Sequence, residues 1–242
     1  MTSNLKEYLR VASTFFNEFD SKTIQQVLKQ EYNEEIELSL VSLNIIEVYS
    51  YTRLKGRTYK KYIFQQQDFK STIYNSLVNK EKLEYHRLIA GIYEIDKTEI
   101  ENIIYHYEKA GDIKKEKEYV YDLARMYNAE FDLDQAILYY LKYLDLEQKL
   151  QRYSIESRVV ESLIEVAKIK LYQSDFSEVI KHINDGLEIY QSDDELHRLQ
   201  LLLIEYYKAT ANIKEILPIL DELEKTLQKT SRNYGKLLQL QC

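Results

Sequence analysis

Apolar side chains recur every three to four residues along most of this chain, the period of a helix with one buried face. From Asn4 to Phe19 they fall at Leu5, Tyr8, Leu9, Ala12, Phe15, Phe16 and Phe19, which predicts a first helix. Asp20-Ser21 offers an N-cap for a second, Lys22 to Gln30. Leu38, Val41, Leu43, Ile45 and Ile46 predict a third from Glu35 to Tyr49. The period then breaks. Ser50 to Gln65 is rich in tyrosine and threonine and turns at Lys55-Gly56, where glycine can take positive φ, so it reads as a β-hairpin. Helices resume over Asp68–Leu77 and Lys80–Glu94. Three helices followed by a hairpin is the order of a winged helix-turn-helix module.

Beyond Lys97 the pattern is helical throughout, over about 98–110, 113–130, 133–148, 154–173, 177–191, 195–209 and 213–228. The helix 154–173 carries a stripe of Ile155, Val159, Leu163, Ala167 and Leu171, backed by Val160 and Ile164. Pro218 should kink or split the last helix, because it lacks an N–H and crowds the preceding turn. Small or apolar residues recur at matching offsets from the turns: Phe131, Ala136 and Tyr143; Ser174, Val179 and Gly186; Ile216 and Leu223. That is the spacing logic of a degenerate tetratricopeptide repeat. The expected fold is mostly α: a winged helix with one β-hairpin over 1–95, then a right-handed α-solenoid of tetratricopeptide-like helix pairs over 96–242.

Composition sharpens this reading. With 5 glycines and 1 proline in 242 residues, few tight turns are available and long helices are favoured. The single cysteine, Cys242, excludes an intrachain disulfide and fits a reducing cytosol. No apolar run approaches the ~18 residues needed to span a bilayer, and the N-terminus lacks a signal-peptide core. A cytoplasmic protein with no membrane contact is expected. Residues 1–95 carry 13 Lys+Arg against 12 Asp+Glu, whereas 96–242 carry 20 against 28. The second half, at −8, is poorly suited to nucleic acid.

Phe64, Tyr74, Leu77, His86 and Ala90, followed by "YHYEKAGD" at 105–112, resemble a junction in STAND-type regulatory ATPases. That junction reads like F-x-H-x-x-x-R-x-x-x-Y-x-x-L, then L-H-x-x-x-A, then A-x-H-Y-x-x-A-G-D. The chain departs at Gln66, where the family often has the histidine thought to sense nucleotide, and around Lys70, where arginine is common. The resemblance covers about residues 5–145. It implies an order of P-loop ATPase, winged helix and tetratricopeptide-like repeats, with the winged helix an internal joint. The phosphate loop G-x-x-x-x-G-K-[ST] is missing from this sequence: the Gly235-Lys236 pair has Thr230 in place of the first glycine and Leu237 after it. The chain is therefore expected to be the C-terminal region of such a regulator, with the ATPase upstream as its partner, in preference to a free-standing relative.

Candidate chemistry is sparse. His106 shares its helix with Glu108, which points to another face, so His106 and Tyr107 are expected to pack a helix interface. Gly111 then closes the helix in a left-handed turn, and Asp112 caps the next. Glu178, His182 and Asp185 share a face but lack a completing ligand, and His86 and His197 stand alone, so neither a metal nor any other cofactor is expected. No catalytic set is legible. Arg53, Lys55, Arg57, Lys60 and Lys61 form a basic wing for phosphates or a neighbouring domain, the basis of an alternative reading as a DNA-binding regulator. The helix before it, with Glu34, Glu35, Glu37 and Glu47, has the wrong charge for a DNA groove. In the repeats, Lys168, Tyr172, Arg198, Glu205 and Lys208 are expected to face a groove for a protein, a peptide or a small ligand, or for a second copy in a homodimer. The function expected is a non-catalytic sensor and interaction region.

Overall fold

The computed structural model describes residues 3–30, 34–54, 57–96, 99–150 and 157–227, with the backbone alone for 52–54, 57–59 and 96. The chain forms two compact units, Met1–Tyr119 and Val120–Cys242. The expected boundary at 95/96 falls at the last residue of α5 (Asn79–Asp96), which packs closely against α6 (Ile100–Ala110) inside the first unit.

In the first unit, α1 (Ser3–Ala12) stops well short of the expected Phe19. The hydroxyls of Ser13 and Thr14 turn back onto the carbonyls of Arg10 and Val11, each at 2.7 Å, and compete with the helical ladder. The chain then enters a strand that periodicity did not reveal. This strand, β1 (Phe19–Asp20), pairs antiparallel with β3 (Arg57–Phe64), Phe19 opposite Tyr62. Phe19 is still buried, against Tyr62 and Phe64, and full burial of such a ring is worth roughly 1.5–3 kcal/mol. Asp20 caps α2 (Ser21–Leu28) as expected, accepting from the Thr23 N–H at 2.8 Å.

The third helix also ends early. α3 spans Glu35–Ser42, not Glu35–Tyr49, because Asn44 takes a left-handed φ of 54°. Its N–H and that of Ile45 cap the carbonyls of Val41 and Leu40, the paired bonds of a Schellman turn. Ile45 and Ile46 were counted in the helical stripe. Ile46 instead opens β2 (Ile46–Leu54), which pairs with β3 through a register shift between Val48 and Ser50. The sheet order is β1-β3-β2. The Lys55-Gly56 turn lies outside the described residues. α4 (Gln67–Ser76) and α5 follow, and α1, α2, α3, the sheet, α5 and α6 enclose one core that includes Tyr8, Ile24, Leu40, Phe64, Ile89 and Ile103.

The helices α7 (Ile113–Ala129), α8 (Leu133–Lys149), α9 (Ser157–Tyr172), α10 (Phe176–Ile189) and α11 (Asp193–Ala209) continue in a repeat-like arrangement. A 3-10 turn at Ile213–Glu215 and α12 (Ile216–Thr226) end the described part. Val160, Ile164 and Ala167 of the predicted stripe are buried with Val179, Ile183, Leu199 and Leu202, joining α9, α10 and α11. Ile155 lies outside the described residues. Pro218 falls in the first turn of α12, where no N–H is required, and the chain splits into 3-10 and α segments just before it.

One turn recurs. Gly111, Phe131, Ser174 and Ala211 all take φ between 58° and 68°, and the following Asp112, Asp132, Asp175 and Asn212 donate back to Tyr107, Tyr127, Lys170 and Tyr207. Asp112 and Asp132 also accept from the N–H three residues on, at 3.3 and 3.2 Å. Each turn is thus a Schellman stop fused to the N-cap of the next element. Only Gly111 adopts this backbone without steric cost.

Candidate functional site

The predicted groove residues separate into two groups. Lys168 and Tyr172, at the C-terminal end of α9, line a cavity of about 570 Å³ together with Asn128, Phe131, Leu133, Glu165 and Ile169. Glu165 organises its polar side. It accepts from Lys168 Nζ at 2.6 Å and Asn128 Nδ2 at 3.1 Å, and Arg198 of α11 stands 3.6 Å away. Arg198 therefore reaches the groove's edge through Glu165. Glu205 and Lys208 are exposed on α11 and do not line the cavity.

Sequence reasoning placed Phe131 as a turn residue and missed it as a site residue. It is 85% exposed at the α7–α8 turn, and Tyr172 is 81% exposed beside the same cavity. An exposed phenylalanine at a position that favours glycine costs stability twice, in backbone strain and in wetted apolar surface. The signal was available: Phe131 occupies the offset that Gly111 holds in the first such turn. Replacing Phe131 with glycine is expected to stabilise the second unit by about 0.5–1 kcal/mol, the relieved strain less the extra freedom of the unfolded glycine. Urea unfolding of Phe131→Gly checks this.

In the first unit, Lys61 is not a free basic-wing residue. Its ammonium sits 2.6 Å from Glu18 and 2.8 Å from Glu99, largely buried, tying β3 to the chain on either side. Lys60 lies 3.6 Å from Glu34. Lys55 lies outside the described residues, as do the side chains of Arg53 and Arg57. Glu37, on the helix that would enter a DNA groove, is buried.

The residues around "YHYEKAGD" are structural and unusually polar. Phe64, Leu77, His86, Ala90, His106, Tyr107 and Ala110 are all buried. His106 packs as expected, its ring edge-on to Phe15 at 5.4 Å, but it also meets His86. The two Nδ1 atoms are 2.8 Å apart, and His86 Nε2 lies 3.2 Å from the Tyr74 hydroxyl. One imidazole donates and the other accepts, so the pair is satisfied when both rings are neutral. Burial, with Lys109 nearby, pushes His86 down to about 4; burial and His86 push His106 well below its usual range. Beside Tyr74, Lys70 donates to the Phe16 carbonyl at 2.6 Å, and burial lowers its pKa. Tyr74 and Lys70 border a cavity of about 210 Å³.

Among the described residues no helix is long and apolar enough to cross a membrane, and no group of three or more His, Cys, Asp or Glu side chains is placed to hold a metal ion. The fold resembles that of a solved Signal Transduction ATPase with Numerous Domains (STAND) protein with a tetratricopeptide repeat sensor, from Pyrococcus horikoshii. The identity is 18% and the TM-score 0.53; the likeness covers 100% of this chain and 34% of that one. The chain thus spans about a third of that protein's length. No family model and no curated protein matches it.

Proposed function

We propose that the chain is the non-catalytic sensor and interaction region of a STAND-type signalling ATPase. A winged helix occupies the first unit and tetratricopeptide-like repeats the second. The observation that carries this reading is the likeness, over the whole chain, to a STAND protein with a tetratricopeptide repeat sensor. The order α1-β1-α2-α3-β2-β3, with β1 paired to β3, supports the winged helix. The burial of the junction residues supports their role as family markers rather than as a site.

The groove receives an extended peptide or protein segment. Phe131 and Tyr172 offer exposed rings for an apolar side chain, and the Glu165, Lys168, Asn128 and Arg198 cluster offers donors and an acceptor for its backbone. Occupancy would act on the attached ATPase by favouring one arrangement of the joint over another. Peptides selected from a displayed random library against the purified chain should lose affinity roughly tenfold or more on Tyr172→Ala, a loss typical of an aromatic anchor. The purified chain should show no ATP turnover, and the coding sequence upstream of Met1 should carry a phosphate loop. Selected peptides that ignore Tyr172 and Lys168 would remove the groove from the proposal, and ATP hydrolysis by the chain would remove the sensor reading.

A further inference from the structure

One face of α4 carries Gln67, Lys70, Ser71 and Tyr74, spaced three and four residues apart. With Phe16 and Tyr105 they line the cavity of about 210 Å³ in the first unit. Ser71 and Asn75, which also lines it, are exposed, so solvent reaches this space. Among the described residues no Asp or Glu lines it. Two more cations stand beside it. Lys82 Nζ lies 4.6 Å from the centre of the Tyr74 ring, and Lys109 Nζ lies 5.7 Å from that of Tyr105 and 3.9 Å from Glu108.

Lys70 sets the chemistry of this space. It is 9% exposed, and its ammonium donates to the Phe16 carbonyl at 2.6 Å and meets no carboxylate among the described residues. An ammonium has three protons to donate, and a buried one is ordinarily paired with a counter-charge. Burial lowers the Lys70 pKa, with no anion to offset the lost solvation. The Ser71 hydroxyl and the Asn75 amide have no hydrogen-bond partner among the described residues, so both can donate to an incoming oxygen. Phe16, 63% exposed, and Tyr105 stand with ring centres 5.3 Å apart and give the space an aromatic wall.

We infer that this pocket binds a small organic acid, its carboxylate on Lys70, Ser71 and Asn75 and its apolar body against Phe16 and Tyr105. At about 210 Å³ the pocket is smaller than the roughly 300–1,000 Å³ that takes a drug-sized ligand, so an acid of a few carbons or one ring fits and a nucleotide does not. Lys82 and Lys109 add to the attraction for an anion. The aromatic wall favours an acid with an apolar body over an inorganic oxyanion, which buries no apolar surface there. The pocket belongs to the first unit, so the inference goes beyond the reading of the repeats as a sensor and does not depend on it.

The test is a titration of the isotopically labelled full chain with sodium benzoate at neutral pH and low salt, following the backbone resonances of Gln67, Ser71 and Tyr105. The expected result is a saturable shift, absent with benzamide, which keeps the ring without the charge, and weaker in about 0.5 M NaCl by screening. Lys70→Met should weaken binding roughly tenfold or more, as the loss of a charge-assisted hydrogen bond does. Where that variant fails to fold, Asn75→Asp carries the test: position 75 is exposed, and a carboxylate there repels the ligand and should weaken binding by a similar factor. No saturable shift, an equal response to benzamide, or undiminished binding by Asn75→Asp would overturn the inference. Acetate or inorganic phosphate binding more tightly than benzoate would overturn the aromatic wall as part of the site. The Tyr172-dependent peptides probe the second unit, so either result can fail while the other stands.

Discussion

Lowering the pH from 7 to 5 is expected to cost the first unit about 2 kcal/mol of stability through His86 alone, and about 3 kcal/mol by pH 4. An unfolded histidine titrates near 6.5, whereas the native His86 resists protonation down to about 4. Stability is therefore complete above pH 6.5 and falls as the unfolded chain binds protons that the native pair refuses. His106 adds to the loss in the same direction. The cause is local: a proton on either ring places a cation in the core beside a second imidazole, with Lys109 already acting on His86. The lowered carboxylates Glu94, Asp175 and Glu195 give up their stabilisation only as pH falls below their ordinary values near 4. The interval between pH 6.5 and 4.5 thus belongs to histidines, and the second unit contributes through His182. Hydrogen exchange resolved by segment separates the units. Protection in α5 and α6 should fall across this interval, and His106→Gln should flatten the dependence. Constant protection in α5 and α6 from pH 7 to pH 5 would contradict the buried neutral pair.

The histidine pair shows where reading the sequence stops. His106 was legible as a packing residue on its own helix, since apolar neighbours at helical spacing surround it, whereas His86 read only as a lone histidine. Their meeting depends on how α5 lies against α6, which no local pattern encodes. The turns were more legible. Gly111-Asp112 announces both a left-handed stop and a cap, and the structure forms both. Asn44 performs the same stop inside a run of Leu43, Ile45 and Ile46, and there the apolar residues were counted toward a longer helix. A two-residue strand such as β1 has no period to detect, so Phe19 was assigned to the helix before it. The candidate groove depends on helix rotation as well. Lys168 and Tyr172 stand one position past Ala167 and Leu171 of the α9 stripe and line one cavity, whereas Glu205 and Lys208 depend on the relative rotation of α11, which a degenerate repeat leaves open. The basic wing was left open to phosphates or a neighbouring domain because a sequence counts charges without their partners; Lys61 is bound within the first unit by Glu18, 43 positions away, and by Glu99.

Gly186→Val is expected to destabilise the second unit by about 2–3 kcal/mol, as overpacking of a dense core does. Gly186 is buried on α10, and a Cβ built there would lie 2.8 Å from Leu199 Cδ2 and 3.3 Å from its Cδ1. A flexible side chain at the surface would swing away. Leu199 is fully buried among Val160, Ile164, Val179, Ile183 and Leu202, so its methyls have little free volume to enter. Alanine at 186 sets the same clash against a gain in helix propensity of about 1 kcal/mol, leaving a smaller net effect. Valine keeps less of that gain and adds two methyl groups. The decisive measurement is a double-mutant cycle by urea unfolding. Leu199→Ala alone should cost about 2–5 kcal/mol by leaving a cavity. Combined with Gly186→Val, which partly fills that cavity, the total should fall short of the sum by at least about 1 kcal/mol, since residues in contact do not act independently. Additive losses would mean that glycine at 186 answers to something other than Leu199. The same contact sets how closely α10 approaches α11, the helix that carries Arg198 toward Glu165 on α9. The less-than-additive pair should therefore recover stability before it recovers peptide binding in the groove.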